Sequence, residues 1–398
     1  MKIFGKFPRI LAALIFSALI LYCDIIYSYP DEIIMYNGLA HSTAIGAGVK
    51  ISGIPDSKLS SDGTTLTPTA DGKFEATLSA GGKIPLRTIT VNVKEPQSVY
   101  ASGSLVGLRI YNRGLLVTQT TKFVSTSGME ASPAQRSGIM AGDIILRING
   151  VIPESSMQVC DLLTEGENIV ELSRDNRSRV VIITPLRDIN DNVLKLGVWV
   201  RDSTAGVGTM TYYEPDTLKY GALGHGISDI DTGVMFDIAK GTVEKSSVVS
   251  VKKGERGNPG EICGSFSSGA ISGTVEKNCD SGIFGRLTSA NIEGKLYPIG
   301  LIGNVKTGNA QIISTVDDSP KMYDIKILRT MPFGSATKGL MIKITDEELL
   351  KKTGGIVQGM SGSPIIQDGK IIGAVTHVLV NDPTCGYGIY LERMLSAS

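Results

Sequence analysis

The sequence predicts a mainly β protein with several domains, and three observations support this prediction. With 398 residues, the chain is longer than one ordinary domain. Its 47 glycines and 16 prolines separate many short runs rich in Val, Ile and Thr, which favours strands and tight turns over long helices. Lys and Arg together number 39, as do Asp and Glu, so the charge balance does not indicate a nucleic-acid-binding protein.

The first 30 residues have the charged-then-apolar order of an export signal. Lys2, Lys6 and Arg9 precede an apolar run over residues 10–23, and no small-x-small cleavage site follows. We therefore expect an uncleaved signal anchor in the membrane, with a cleaved signal peptide as the alternative. The basic flank would stay in the cytoplasm and the rest of the chain would lie outside. Residues 31–98 alternate apolar runs with turns, which fits a small β module or a partly flexible stalk.

The five cysteines and three histidines predict no metal site. No His/Cys spacing resembles that of zinc ligands, and we expect neither a metal nor another cofactor. Only Cys263 and Cys279 are close enough in sequence to suggest a local disulfide, and free thiols fit the pattern equally well.

Residues 99–187 contain an ordered series of turn and strand signals. A helical turn from Pro133 is stopped by Gly138, a strand over residues 144–148 follows Gly142-Asp143, and a helix is expected over residues 154–163. This order resembles the PDZ domains attached to bacterial proteases, which bind an extended peptide by adding it to a sheet edge. The resemblance implies an edge strand over residues 115–118 and a carboxylate-binding loop made of Arg113, Gly114, Leu115 and Leu116. A PDZ fold used only for packing is the alternative.

Residues 188–398 carry the candidate chemistry, at the segment Gly-Met-Ser-Gly-Ser-Pro over residues 359–364. Its glycines let the backbone turn sharply, which exposes the Ser361 hydroxyl and directs the N–H groups of Gly359 and Ser361 toward a developing oxyanion. A hairpin follows, as in the nucleophile segment of chymotrypsin-like proteases. The many short strands of this region then suit two packed β-barrels. Ser363 is the rival nucleophile, but the proline after it supplies no N–H group.

Few residues can be the general base, because the chain has only three histidines. His41 lies far from the serine segment, and His377 lies on the strand after it, where it could contact substrate. His225 occupies a glycine-flanked loop and precedes the serine, which is the order of chymotrypsin-like triads. Several carboxylates could orient this histidine, and spacing alone does not choose among Asp229, Asp231, Asp237, Asp280 and Asp346.

Several motifs together resemble the stage IV sporulation protein B family. The matching segments are Gly-Ala-Leu-Gly-His-Gly at 221–226 with Asp229, Thr-Asp-Glu-Glu-Leu-Leu at 345–350, Thr-Gly-Gly-Ile-Val-Gln at 353–358, Gly-Ala-Val-Thr-His-Val at 373–378 and Val-Asn-Asp-Pro-Thr at 380–384. The resemblance spans the whole chain. It implies a triad of His225, Asp346 and Ser361, although Asp346 is unusually near the serine, and Asp231 is the reserve.

The resemblance also implies a biological role. The family's members are signalling serine endopeptidases of endospore-forming bacteria, exported from the forespore into the space between its two membranes. They cleave themselves near the N-terminus, and then cut an inhibitory membrane partner so that a membrane metalloprotease can mature a late mother-cell sigma factor. A non-catalytic PDZ scaffold in the same compartment is the alternative function, and a general quality-control protease is a third.

Overall fold

The computed structural model describes residues 31–398, apart from residues 43, 47, 55–58, 62–63, 333–334 and 336. The expected signal anchor at residues 1–30 lies outside the described residues. Within them, no helix is long and apolar enough to cross a membrane. Strands dominate, which confirms the prediction of a mainly β protein.

The N-terminal module is a folded β unit. Its strand β8 (Ile84–Lys94) alternates inward and outward residues, and the inward Ile89, Val91 and Val93 pack with Met35 and Leu78 in a core of their own. A five-stranded sheet in the order β1-β8-β7-β4-β3 lies beside a three-stranded sheet in the order β2-β6-β5. The strands are β1 Glu32–Tyr36, β2 His41–Ser42, β3 Ala44–Gly46, β4 Val49–Ser52, β5 Leu59–Ser61, β6 Thr65–Pro68, β7 Gly72–Ala80 and β8 Ile84–Lys94.

A six-stranded barrel follows, built on two long strands. The first strand of this barrel, β10 (Leu105–Thr120), pairs with β18 (Val198–Tyr213) on one side and with β20 (Ile238–Lys252) on the other, which closes the ring. The ring is completed by β19 Lys219–Ala222, β21 Glu261–Cys279 and β22 Gly282–Leu287, and two strands extend it from β18, namely β9 Ser98–Ala101 and β23 Lys295–Pro298. Buried Ile110, Met210 and Tyr220 fill its interior.

A smaller unit, called here the inserted module (residues 121–197), lies between β10 and β18. Its core contains Ile145, Val170 and Leu172. Its elements are β11 Phe123–Val124, β12 Glu130–Ala131, α1 Pro133–Arg136, β13 Ile144–Ile148, α2 Gln158–Asp161, β14 Asn168–Arg174, β15 Arg177–Ile183, β16 Leu186–Arg187 and β17 Leu194–Lys195. The barrel and the inserted module therefore do not follow the domain boundaries expected at residues 99 and 188, because β9 and most of β10 belong to the barrel.

The predicted edge strand over residues 115–118 is wrong. This stretch is the interior of β10: Leu115 and Leu116 pair with β13 on one side, and Leu116 and Val117 pair with β18 on the other. Leu115 and Leu116 of the predicted loop are buried, Arg113 is exposed, and a Cβ on Gly114 would lie 2.6 Å from the Ile145 carbonyl oxygen. With both edges occupied, no peptide can be added here.

The second barrel closes six strands in the order β24-β25-β26-β29-β28-β27. Buried Ile312, Ile342 and Ile365 belong to its core. The strands are β24 Gly308–Ser314, β25 Lys321–Thr330, β26 Leu340–Ile344, β27 Pro364–Gln367, β28 Lys370–Leu379 and β29 Asp382–Tyr390, with a 3-10 turn at Ile302–Asn304, helix α3 at Glu347–Thr353 and helix α4 at Leu391–Ala397. The two barrels agree with the fold that the sequence predicts.

Four local expectations have an outcome in the structure, and the first three differ from it. The Val-rich residues 193–200 and the segment 233–238 each predict a strand, but the first is divided at Gly197, which has φ +74°, and only Ile238 of the second belongs to a strand. The helix expected over residues 154–163 is reduced to the four residues of α2, which has no side-chain cap. Cys263 and Cys279 lie on the one strand β21 and are both free.

Candidate active site

The serine segment is a tight loop between the barrels. Gly359 and Gly362 both have φ +97°, a conformation that favours glycine. A Cβ on Gly362 would collide with the Thr209 carbonyl oxygen and lie 2.6 Å from the Leu223 amide nitrogen. The Thr209 amide donates to the Ser361 carbonyl at 3.0 Å, and its hydroxyl donates to the Gly359 carbonyl at 2.7 Å. Strand β18 of the first barrel thus holds the loop that the second barrel carries.

Two N–H groups of this loop have no hydrogen-bond partner within the described part of the chain. Met360, Gly362 and Ser363 donate their amides to carbonyls at 2.7 to 3.1 Å. No backbone hydrogen bond from the amides of Gly359 and Ser361 occurs among the described residues. These are the two donors that the sequence assigns to the oxyanion, and their free state is what an oxyanion hole requires.

The two serines of the segment have different surroundings. Ser363 is completely buried and donates to the Ser314 hydroxyl at 3.0 Å. Ser361 is half-buried, and its hydroxyl donates to the Thr376 carbonyl at 2.7 Å. Only Ser361 is accessible to a substrate, so the structure favours it over Ser363 as the nucleophile.

The histidine loop reaches the same place from the first barrel. Leu223, at the end of β19, has φ +65°, which is rare for a branched residue and marks a locally strained turn. A Cβ on Gly224 would lie 2.9 Å from the Thr376 side chain, so the loop packs directly on β28. The His225 ring then lies 5.1 Å from the His377 ring, measured between centroids. The structure therefore brings His225, His377 and the Ser361 segment together, whereas His41 is bonded to Tyr36 in the N-terminal module.

The environment of His225 suits a general base. Its Nδ1 lies 2.9 Å from the Gly226 carbonyl oxygen, which can only accept a hydrogen bond, so Nδ1 carries the hydrogen and the lone pair is on Nε2. Burial lowers the pKa of His225, and the Gly226 hydrogen bond only partly opposes this effect. The imidazole is therefore neutral at pH 7 and free to take a proton.

The carboxylate that the family resemblance implies, Asp346, has no hydrogen bond to His225 among the described residues. Asp346 is the N-cap of α3, where it accepts from the Leu349 amide at 2.9 Å, and it also accepts from the Asp324 amide at 3.3 Å. Asp231, the reserve, accepts from Arg201 Nη2 at 2.9 Å. In this structure the Asp346 carboxylate satisfies the first-turn amides of the helix that it directly precedes, so its place in the triad stays a prediction.

A buried network, missed by the sequence reasoning, holds the histidine loop. The side chain of Asp229 is completely buried and is paired with Arg201. It also accepts from the amide and the hydroxyl of Thr232, each at 2.9 Å. Burial opposes ionisation of Asp229, but these bonds and the Arg201 charge outweigh it, so its pKa lies below the usual value. Asn278 completes the network by bonding both the N–H and the carbonyl of Ile227 at 2.8 Å.

Nothing in the sequence marks Arg201 or Asn278 as partners of this loop. Each lies far along the chain from the residues it holds, in a strand whose pattern predicts only sheet structure. The segment Gly-His-Gly-Ile-Ser-Asp at residues 224–229 ends with Asp229, so the sequence shows this aspartate but not its role.

A nucleophile loop with two free N–H donors, facing a neutral histidine between two six-stranded barrels, defines a serine peptidase. The match to known families agrees: the chain belongs to the SpoIVB peptidase S55 family, which matches residues 192–395. Among solved structures, the crystal structure of Rv3671c protease from M. tuberculosis, active form, covers 48% of this chain and 72% of that chain, at 13% identity and a TM-score of 0.27. A comparison with curated proteins gives no match.

Proposed function

We propose that this serine peptidase is a self-processing signalling endopeptidase of sporulation. It is exported from the forespore to the intermembrane space and held there by its N-terminal anchor until self-cleavage. Its substrates are itself and an inhibitory membrane partner, whose cleavage frees a membrane metalloprotease to activate a late mother-cell sigma factor. The S55 family match and the motif resemblance support this role. The observation that carries the chemistry is the Ser361 loop with its two free amides.

In the proposed mechanism each residue of the site has one task. The Ser361 hydroxyl must first leave the Thr376 carbonyl and turn toward Nε2 of His225, which then removes its proton as Oγ bonds to the substrate carbonyl carbon. The amides of Gly359 and Ser361 stabilise the oxyanion that forms. The imidazolium returns its proton to the leaving nitrogen as the peptide bond breaks, and a water molecule hydrolyses the acyl-enzyme by the reverse use of the same groups.

Two serine variants test the nucleophile with a matched control. In Ser361→Ala we expect loss of labelling by a fluorophosphonate probe and loss of self-cleavage. Ser363→Ala, which removes only the buried bond to Ser314, should keep both, at a cost of about 1 kcal/mol in stability. Labelling retained in the Ser361→Ala protein would contradict the assignment.

The site of self-cleavage is proposed to lie between the anchor and the first barrel. Val99 is completely buried in β9, which pairs with β18 and β23. A cut beyond Val99 would remove a strand from the sheet, whereas residues 95–98 are exposed. Mass spectrometry of the released enzyme should therefore show a start before Ser98.

A peptide-binding role for the inserted module needs a different edge from the one expected. The backbone carbonyl of Trp199 on β18 points toward β10, because it accepts from the Thr118 hydroxyl at 3.3 Å. The backbone groups of its neighbours Val198 and Val200 point the other way, where the described residues give them no ladder partner. The segment before α2 borders this edge, because the Ser156 amide donates to Asp202 at 2.9 Å. An extended peptide added at Val198 and Val200 would fit.

Val200→Pro tests this edge. Proline is tolerated where a strand N–H faces outward, so the fold should survive, while the peptide loses a donor. Binding of peptides with apolar C-termini to the Ser361→Ala protein, measured by calorimetry, should weaken at least several-fold on adding Val200→Pro. Unchanged binding would place the peptide site elsewhere.

The non-catalytic scaffold considered from the sequence makes the opposite prediction in cells. It requires the Ser361→Ala protein to complement a sporulation defect, which a peptidase cannot do. A quality-control protease would instead degrade unfolded proteins broadly in vitro.

A further inference from the structure

Three side chains line the surface that begins next to Ser361. The Ser361 hydroxyl bonds the carbonyl of Thr376, and the next residue, His377, is exposed on β28. Tyr387 lies opposite His377 on β29, and Lys338 Nζ lies 5.4 Å from the centre of the Tyr387 ring. Side chains opposite each other on paired strands share a face. His377, Tyr387 and Lys338 therefore form one row, called here the pocket wall, that starts at the nucleophile.

The pocket wall carries a positive charge at Lys338. No salt bridge to Lys338 occurs among the described residues, whereas Lys122, Lys195, Lys321 and Lys352 each have one. Desolvation of the His377 ring, followed by the proximity of His225 and Lys338, lowers the pKa of His377 to about 4. At pH 7 the wall thus offers one full positive charge and a neutral imidazole that can donate one N–H.

We propose that the pocket wall selects substrates with an acidic side chain at the residue that precedes the cleaved bond, a preference that rests on the proposed peptidase function. A glutamate carboxylate there would neutralise Lys338 and accept from His377 in the same pose. Glutamine could bond His377 but would leave the ammonium uncompensated. Leucine would cover both polar groups without bonding them, and lysine would be repelled.

A mixed peptide library measures this preference, since it offers every residue type before the cleaved bond. A proteome-derived library is incubated with the full-length enzyme in detergent, and new ends are identified by mass spectrometry. We expect Glu and Asp to precede at least half of the cleaved bonds, and kcat/KM for a matched Glu peptide to exceed that for Gln about 10-fold and for Lys about 100-fold. The residue preceding the self-cleavage site should also be acidic.

Charge reversal tests the residues themselves. Lys338→Glu should lower kcat/KM for the Glu peptide at least 10-fold and raise it for the Lys peptide. Lys370→Glu carries the same charge change on β28, about 23 Å along the strand from His377, and should alter neither preference. His377→Ala should lower kcat/KM for Glu and Gln alike.

The outcomes separate the two proposals. Equal cleavage after Glu, Leu and Lys by an enzyme that is labelled normally would overturn the acidic preference and leave the peptidase function intact. Loss of the Glu preference in Lys370→Glu as much as in Lys338→Glu would also overturn it. Absence of both cleavage and labelling in the wild-type protein would instead contradict the proposed function.

Discussion

The buried pair of Arg201 and Asp229 gives the sharpest test of how the histidine loop is held. Asp229→Asn removes the charge of a side chain that has no solvent exposure, while Arg201 stays about one-third exposed. Breaking a buried pair costs about 3–5 kcal/mol. The asparagine oxygen can still accept from Thr232, and Arg201 keeps its bond to Asp231. We therefore expect Asp229→Asn to lower stability by about 2–3 kcal/mol, mainly that of the loop of residues 225–236.

Asp231→Asn is the matched control. Asp231 bonds the same arginine at 2.9 Å but is 53% exposed, so its loss should cost less than about 1 kcal/mol. Hydrogen exchange of the loop amides should therefore quicken by roughly 30- to 150-fold in Asp229→Asn and by less than about 5-fold in Asp231→Asn. Fluorophosphonate labelling should slow in the first variant alone. Equal exchange in the two variants would show that the buried pair does not hold the loop.

Three further predictions concern the reacting groups. Gly362→Ala should abolish fluorophosphonate labelling, because its Cβ would collide with the Thr209 carbonyl oxygen. The control Gly369→Ala, at a position with φ +71° and open space, should lose about 1 kcal/mol of stability and remain active, and normal labelling of Gly362→Ala would refute the close packing of the loop on Thr209. In the pH profile of kcat/KM, the fall on the acid side should lie below pH 6.5, because burial lowers the pKa of His225 and this base is neutral above its pKa. A fall above pH 6.5 would contradict this assignment of the base. Asp346→Ala should lose about 1 kcal/mol of stability, and Asp346→Asn, which keeps a capping oxygen, should be labelled like wild type. A folded but unlabelled Asp346→Asn protein would return Asp346 to the triad.

The same lowered pKa has a consequence for stability. The unfolded chain binds protons at His225 near pH 6.5, and the folded chain binds them only at lower pH, so the unfolded state holds more protons between these values. The contribution of neutral His225 to stability is therefore complete above about pH 6.5 and falls as the pH drops below it.

Local chemistry was readable from the sequence where it depended on neighbouring residues. The glycines around Ser361 and the proline after Ser363 indicated which hydroxyl would be exposed, and the structure agrees in burying only Ser363. The short Val/Ile/Thr runs likewise predicted barrels. What could not be read was the pairing: β10 meets strands that begin at Val198 and Ile238, and no local signal records such distant partners.

The same limit explains what the sequence could not place. The PDZ resemblance implies an edge strand over residues 115–118, but an edge is defined by the absence of a pairing partner, and here β18 pairs with it. The family motif implies a triad role for Asp346, and the sequence reasoning did not see that its position directly before Glu347 and Glu348 also makes it a helix cap. Arg201 and Asp229 come together only because β18 passes beside the histidine loop after leaving the inserted module.

The way the inserted module joins the barrel makes it separable by design. The amide of Thr121, where the chain enters the module, donates to the carbonyl of Gly197, where it leaves, at 2.9 Å. Two strand ends bonded in this way are as close as those of a β-hairpin, so a two-residue turn such as Asn-Gly could replace everything between them. The module and the peptidase could thus be exchanged between relatives as interchangeable parts, with Arg201 remaining on the barrel side of the join.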